Sequence, residues 1–205
     1  LVLGSIPKFE RIPEIELDPN PAVPDQAQKG QIYGSPHDFT APAGINADDE
    51  YLVGSSNVEK AFNFFLTPEG GGFTPAQACG IIGNFWVESF ANRIGDLDTK
   101  ATSAPPERSF GIAQWNPAVN RKQELIEYCV QNGFDYTSLF GQLKFLKYDL
   151  DTTYGYRVNK KLGDLKDAST VEDASKIFEF QYERPQKGST QDRIDKARKV
   201  FERLA

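Results

Sequence analysis

A single histidine, His37, and two cysteines, Cys79 and Cys129, bound the chemistry open to this chain of 205 residues. A zinc site built on histidine ligands needs at least two, and a cysteine–histidine nucleophile pair needs one inside the folded domain. His37 stands in a proline-rich stretch. Hydrolysis therefore falls to carboxyl groups, which suits glycosides. Glu88 is the first candidate, because it ends an apolar run and has Phe85, Trp86 and Phe90 beside it. Apolar surroundings and the negative end of a helix both favour a carboxyl that keeps its proton, as a general acid must. A carboxyl sealed in the interior, or locked in an ion pair with an arginine, would collapse the catalytic role and make a binding or scaffolding role the better account. The plainer alternative is a helix-end glutamate bonded to nearby backbone amides. Asp96 and Asp98 follow in a loop and are candidates for a second carboxylate. Gln114 can bond an acetamido group or position water, and Trp115 can lie flat on a pyranose ring. Against this, Gln114 can instead satisfy loop backbone, and Trp115 taken alone is more often a core residue.

The elements that must hold these residues are helical. Ser56 caps a helix carrying Val58, Ala61, Phe62, Phe65 and Leu66, which ends at Gly70, Gly71 and Gly72. Thr74, Pro75 and Gln77 form a capping box for the next helix, which is apolar almost all round and so expected at the centre of the domain. Periodicity fails after Phe90, and Ser109 to Trp115 is short enough for a strand or a buried turn. Further helices are expected at Ala118 to Asn132, Ser138 to Asp151, Thr170 to Tyr182 and Thr190 to Leu204. The fold class is mainly α, with a small irregular or β insertion between the second and third helices. Cys79 and Cys129 sit in apolar helical patterns and are expected as reduced core thiols.

The stretch from Thr74 to Ser89 reads T-x-x-Q-A-x-G-I-x-G-N-x-x-x-E-S. After it come Gly95-Asp96, then G-x-A-Q-W ending at Trp115, then Arg121. With Gln142-Leu143-x-Phe145-Leu146 and Glu183-Arg184-Pro185, this order and spacing resembles the phage tail lysozyme family from about Asn57 onward. The resemblance implies a lysozyme-like fold and cleavage of the β-1,4 bond between N-acetylmuramic acid and N-acetylglucosamine in peptidoglycan. It implies Glu88 as the acid; Ser89, Gln114 and Trp115 are the candidate substrate contacts. No metal or organic cofactor is implied. Phe90-Ala91-Asn92 departs from the family's more common glycine-aromatic-x-proline, which leaves the second catalytic group open. Asp96 or Asp98 can activate water or act as nucleophile, with Asp96 favoured through its match to the family's Gly-Asp. Alternatively the substrate's own acetamido group assists, as in goose-type lysozymes and lytic transglycosylases.

Net charge is −6, which argues against nucleic-acid binding and against a free enzyme seeking an anionic wall. No apolar run approaches the roughly 20 residues needed to span a bilayer. Residues 1–50 read as an extended arm rich in proline, with enough apolar side chains to lie against a partner, and residues 51–205 as the catalytic domain. The chain contains no methionine, which fits an excised part of a longer product. Taken with the resemblance, which implies a virion protein of a phage tail or baseplate acting on the bacterial wall, these features fit a domain held to other tail proteins by the arm. The competing reading is a structural tail component that keeps the fold without activity.

Overall fold

A computed structural model describes residues 47–89, 96–152, 161–185 and 188–205 of the chain. The chain divides into two units, Leu1–Phe39 and Thr40–Ala205, and the described residues all belong to the second. The arm expected at residues 1–50 lies outside the described residues up to position 46, as do Phe90, Ala91, Asn92 and Gly95.

Seven helices account for most of the described chain: α1 (Asn57–Leu66), α2 (Pro75–Ser89), α3 (Arg121–Asn132), α4 (Leu139–Asp151), α5 (Lys161–Asp167), α6 (Val171–Phe178) and α7 (Thr190–Leu204). Their starts follow from local chemistry. Ser56 accepts from the Glu59 amide at 3.2 Å to open α1. Thr74 and Gln77 exchange backbone-to-side-chain bonds at 3.0 and 3.3 Å, the capping box read from the sequence. The Gln77 amide reaches further, donating to the carbonyls of Lys166 and Ala168 at the end of α5. Ser138 and Thr170 cap α4 and α6. Gly133, in the left-handed region at φ 73°, closes α3.

Helix α2 is the centre of the domain, with Ala78, Cys79, Ile81, Ile82 and Phe85 wholly buried. It packs chiefly against α7 and α6. Two glycines one turn apart permit that approach. A Cβ on Gly80 would stand 2.6 Å from the Ala174 Cβ of α6, and one on Gly83 would stand 2.6 Å from both the Ala197 Cβ and the Arg193 carbonyl of α7. Asn84 then ties the three helices together. Its amide donates to the Ser175 carbonyl at 3.1 Å, and its oxygen accepts from Arg193 at 3.0 Å.

The insertion between α2 and α3 contains, among its described residues, only isolated bridges, Thr102 with Phe110 and Phe110 with Trp115. A buried glutamine anchors it to α4. The Gln142 oxygen accepts from the Ile112 amide at 3.0 Å, while its nitrogen donates to the Thr99 and Tyr136 carbonyls. Helix α3 starts later than expected, because Pro117–Val119 forms a 3-10 turn and Asn120 is left-handed at φ 64°. Helix α6 also ends early. A single π-helical turn, Glu179–Glu183, follows it, closed by the Arg184 amide donating to the Glu179 carbonyl at 2.7 Å.

Both cysteines are buried as thiols, and burial pushes the Cys79 thiol up to about 12. It is a packing residue, inert at neutral pH.

Replacing Gly83 by Ala should drive α7 away from α2 and cost about 1–3 kcal/mol, read as a lower urea midpoint. An unchanged midpoint would show that the close approach is not a constraint.

Candidate active site

Helix α2 delivers Glu88 to its C-terminal end, where the side chain is 20% exposed. The expected surroundings were apolar, yet the Glu88 carboxylate is in an ion pair with the guanidinium of Arg193. Arg193 is 2% exposed and its other nitrogens are also engaged. One faces Asn84, and Nε donates to Ser189 Oγ at 2.9 Å and stands 3.5 Å from Glu179 Oε1. The sequence reading of an unpaired Glu88 held by apolar neighbours is thereby corrected. Its carboxyl belongs to a polar cluster.

That cluster contains two further carboxyl groups, both from the π-turn. Glu179 is fully buried; Oε1 accepts from the Ser189 amide at 3.2 Å and Oε2 has no hydrogen-bond partner. Glu183 has Oε1 buried, likewise without a hydrogen-bond partner. Burial holds the Glu183 carboxyl well above the ordinary range of glutamates, and the charge of Glu88 pushes it the same way, against the pull of Arg193 and Arg121.

A second polar cluster lies beneath. Arg121 donates to both oxygens of Asp149, at 2.8 Å to Oδ1, and to the Tyr182 hydroxyl at 2.9 Å. Tyr182 donates to Asp149 at 2.8 Å and accepts from the Trp115 ring nitrogen at 3.0 Å. Burial first, and then Asp149, hold the Tyr182 hydroxyl well above its usual range, so it stays neutral and keeps the proton it donates.

The remaining sequence candidates fall into place around these clusters. Trp115 is 2% exposed and packs edge-on against Phe145, so it is a core residue and offers no face to a sugar. Gln114 donates to the Ala101 and Gly111 carbonyls, at 3.2 and 3.0 Å, and holds the tight turn of its own loop. Ser89 is buried and donates to the Phe85 carbonyl. Its Oγ also accepts from the Asp98 amide at 3.3 Å, which brings the Asp98 segment to the end of α2. Asp96 accepts from the Asn57, Val58 and Leu97 amides at 2.7, 2.8 and 2.9 Å. Both its oxygens are committed to the start of α1. The Asp98 backbone is thus held at the end of α2, with its Oδ1 accepting from the Lys100 amide at 2.8 Å, and Asp96 has a helix-capping role.

Arg193, Glu179 and Glu183 were missed as site residues. A signal existed for the first: Arg193 shares the spacing of Ala197 and Val200, which places a guanidinium on the buried face of α7. Similarly Glu179 lies four residues after the buried Ser175 on α6.

A mainly helical, lysozyme-like domain with a carboxyl cluster at the end of its central helix is the class of protein these observations define. Residues 56–204 match the family model of the phage tail lysozymes, and the chain belongs to that family. A lysozyme-like, peptidoglycan-degrading activity of the glycoside hydrolase kind goes with the family, as does a bacteriophage origin. Among the described residues no helix is long and apolar enough to cross a membrane.

Asp96→Ala should destabilise the domain by about 1–2 kcal/mol through loss of the α1 cap, measured by thermal or urea unfolding. A variant as stable as wild type but inactive would return Asp96 to the chemistry.

Proposed function

We propose that this protein is a muramidase carried by a phage tail, with Glu88 as the proton donor in cleavage of the β-1,4 bond between N-acetylmuramic acid and N-acetylglucosamine. The observation that carries this reading is the position of Glu88, a partly exposed carboxyl at the end of the buried central helix. Glu88 gives a proton to the glycosidic oxygen, and the bond from that oxygen to C1 breaks with its electron pair going to the oxygen. Water adds to C1, and the proton it releases restores the acid. Asp98 is the better placed of the two aspartates to orient that water or to face the developing positive charge, because Ser89 holds its backbone beside Glu88. Residues 1–50 serve as the tether to other tail or baseplate proteins. With such delivery, the acidic charge is no obstacle to reaching the wall.

A second reading is a catalytically inactive tail or baseplate component with a lysozyme-like fold. The ion pair between Glu88 and Arg193 favours it, since a carboxylate committed to a guanidinium serves stability well.

The full chain should reduce the turbidity of peptidoglycan suspensions, and Glu88→Gln should lower that rate at least about 100-fold. Glutamine keeps an acceptor for Arg193, so the fold should survive. Mass spectrometry of the muropeptides should show new glycan ends with wild type. Equal clearing by both proteins would remove Glu88 from the mechanism, and no new ends with either would leave the structural reading.

A further inference from the structure

We propose that Gln142 is a positioning residue for the cleavage step, acting on the Asp98 carboxylate through the single peptide that joins Thr99 to Lys100. This deepens the muramidase reading and rests on Asp98 as the group that orients the water. Gln142 is wholly buried on α4, in the Gln142-Leu143-x-Phe145-Leu146 run that the chemistry of Glu88 does not use. A buried amide is costly unless its polar atoms are bonded, and both donors here are taken. Nε2 donates to the Thr99 carbonyl at 2.7 Å and to the Tyr136 carbonyl at 2.9 Å, while Oε1 accepts from the Ile112 amide at 3.0 Å.

The contact with Thr99 is the one that reaches the site. A peptide group is planar, so the Thr99 carbonyl and the Lys100 N–H are two ends of one rigid unit. Gln142 holds the first, and the second donates to Asp98 Oδ1 at 2.8 Å. The Asp98 amide is fixed from the other side, donating to Ser89 Oγ at 3.3 Å at the end of α2. The Asp98 carbonyl accepts from the Ala101 amide at 3.2 Å and closes the turn. Asp98 is therefore held by α2 on one side and, through one peptide, by α4 on the other. Turning that peptide would turn the carboxylate with it. The two bonds also run in series, from Gln142 to the carbonyl and from the N–H to the carboxylate, so each polarises the other.

The same amide carries the rest of the insertion. A Cβ on Gly111, at φ 79°, would stand 2.7 Å from Gln142 Oε1, so the backbone of the G-x-A-Q-W run lies directly on it. That run is bonded back toward Thr99. The Gly111 amide donates to the Ala101 carbonyl at 2.9 Å, and the Gln114 side chain donates to the same carbonyl at 3.2 Å. Gln142 thus fixes both arms of the insertion against α4.

The test compares the clearing of peptidoglycan suspensions by the full chain carrying Asp98→Asn, Gln142→Met, or both, at equal concentrations of folded protein judged by near-ultraviolet circular dichroism. Gln142→Met fills a similar volume and offers no proton to Thr99. Each single variant should clear at least about 10-fold more slowly than wild type. The double variant should fall no more than about 3-fold below Asp98→Asn, because both changes remove one and the same contribution. A general loosening of the domain would instead multiply the two losses. Should Gln142→Met fail to fold, Gln142→Glu, which keeps the acceptor for Ile112 and gives up at least one donor, carries the same comparison. Losses that multiply, a folded Gln142 variant that clears like wild type, or an Asp98→Asn protein that does, would overturn the proposal and leave Glu88 as the donor. Failure of the muramidase reading shows separately, as no new glycan ends with wild type, and takes the proposal with it.

Discussion

One buried guanidinium organises the domain. Arg193 lies in the interior of α7, and a charge so placed must be matched by hydrogen bonds and opposite charge or it destabilises the fold. Its partners come from three pieces of chain: Asn84 and Glu88 on α2, Glu179 on the π-turn, and Ser189 at the start of its own helix. The match is possible only because α7 lies against α2 with no side chain between them at Gly83. Close helix packing and the charge cluster are therefore one arrangement, since separating the helices would break the ion pair. The same arrangement fixes Glu88 in space.

The π-turn links this cluster to a second one of the same design. Arg121, Asp149 and Tyr182 satisfy one another in the interior, with Trp115 donating into the group and Arg121 lying over the rings of Phe145 and Tyr182. Tyr182 belongs to the turn that carries Glu179 and Glu183, so α3, α4 and the insertion are coupled to α2 and α7 through five residues of chain. An ordinary α-helical continuation would place these side chains differently. The wider turn is thus part of the site's construction, as π-turns near functional groups often are.

Much of the scaffold was legible because it is local. The capping box at Thr74 and Gln77, the cap at Ser56, the stop at Gly133 and the buried stripe of α4 all follow from spacing alone. The site was less legible, because its chemistry depends on partners about a hundred residues apart. Glu88 was found by its place at the end of α2, but nothing near it in sequence reveals Arg193. Trp115 has the composition of a sugar platform and the burial of a core residue, and only the Tyr182 hydroxyl explains where its ring nitrogen goes. Asp96 matched a motif for a structural reason, since the start of α1 needs an acceptor. Helix α5 was not anticipated at all: seven residues with Gly163 inside carry too little periodicity to stand out.

That burial holds the Glu183 carboxyl above the ordinary range of glutamates is tested most directly by the pH dependence of unfolding. A carboxyl held above its ordinary value of 4.5 in the folded state binds a proton that the unfolded chain has already lost. Stability must then fall as pH rises through that window, because the folded state has the proton to give up. Urea unfolding from about pH 4 to about pH 8 should show wild type losing stability more steeply above 4.5 than Glu183→Gln, in which no such proton exists. Parallel curves for the two proteins would contradict the account.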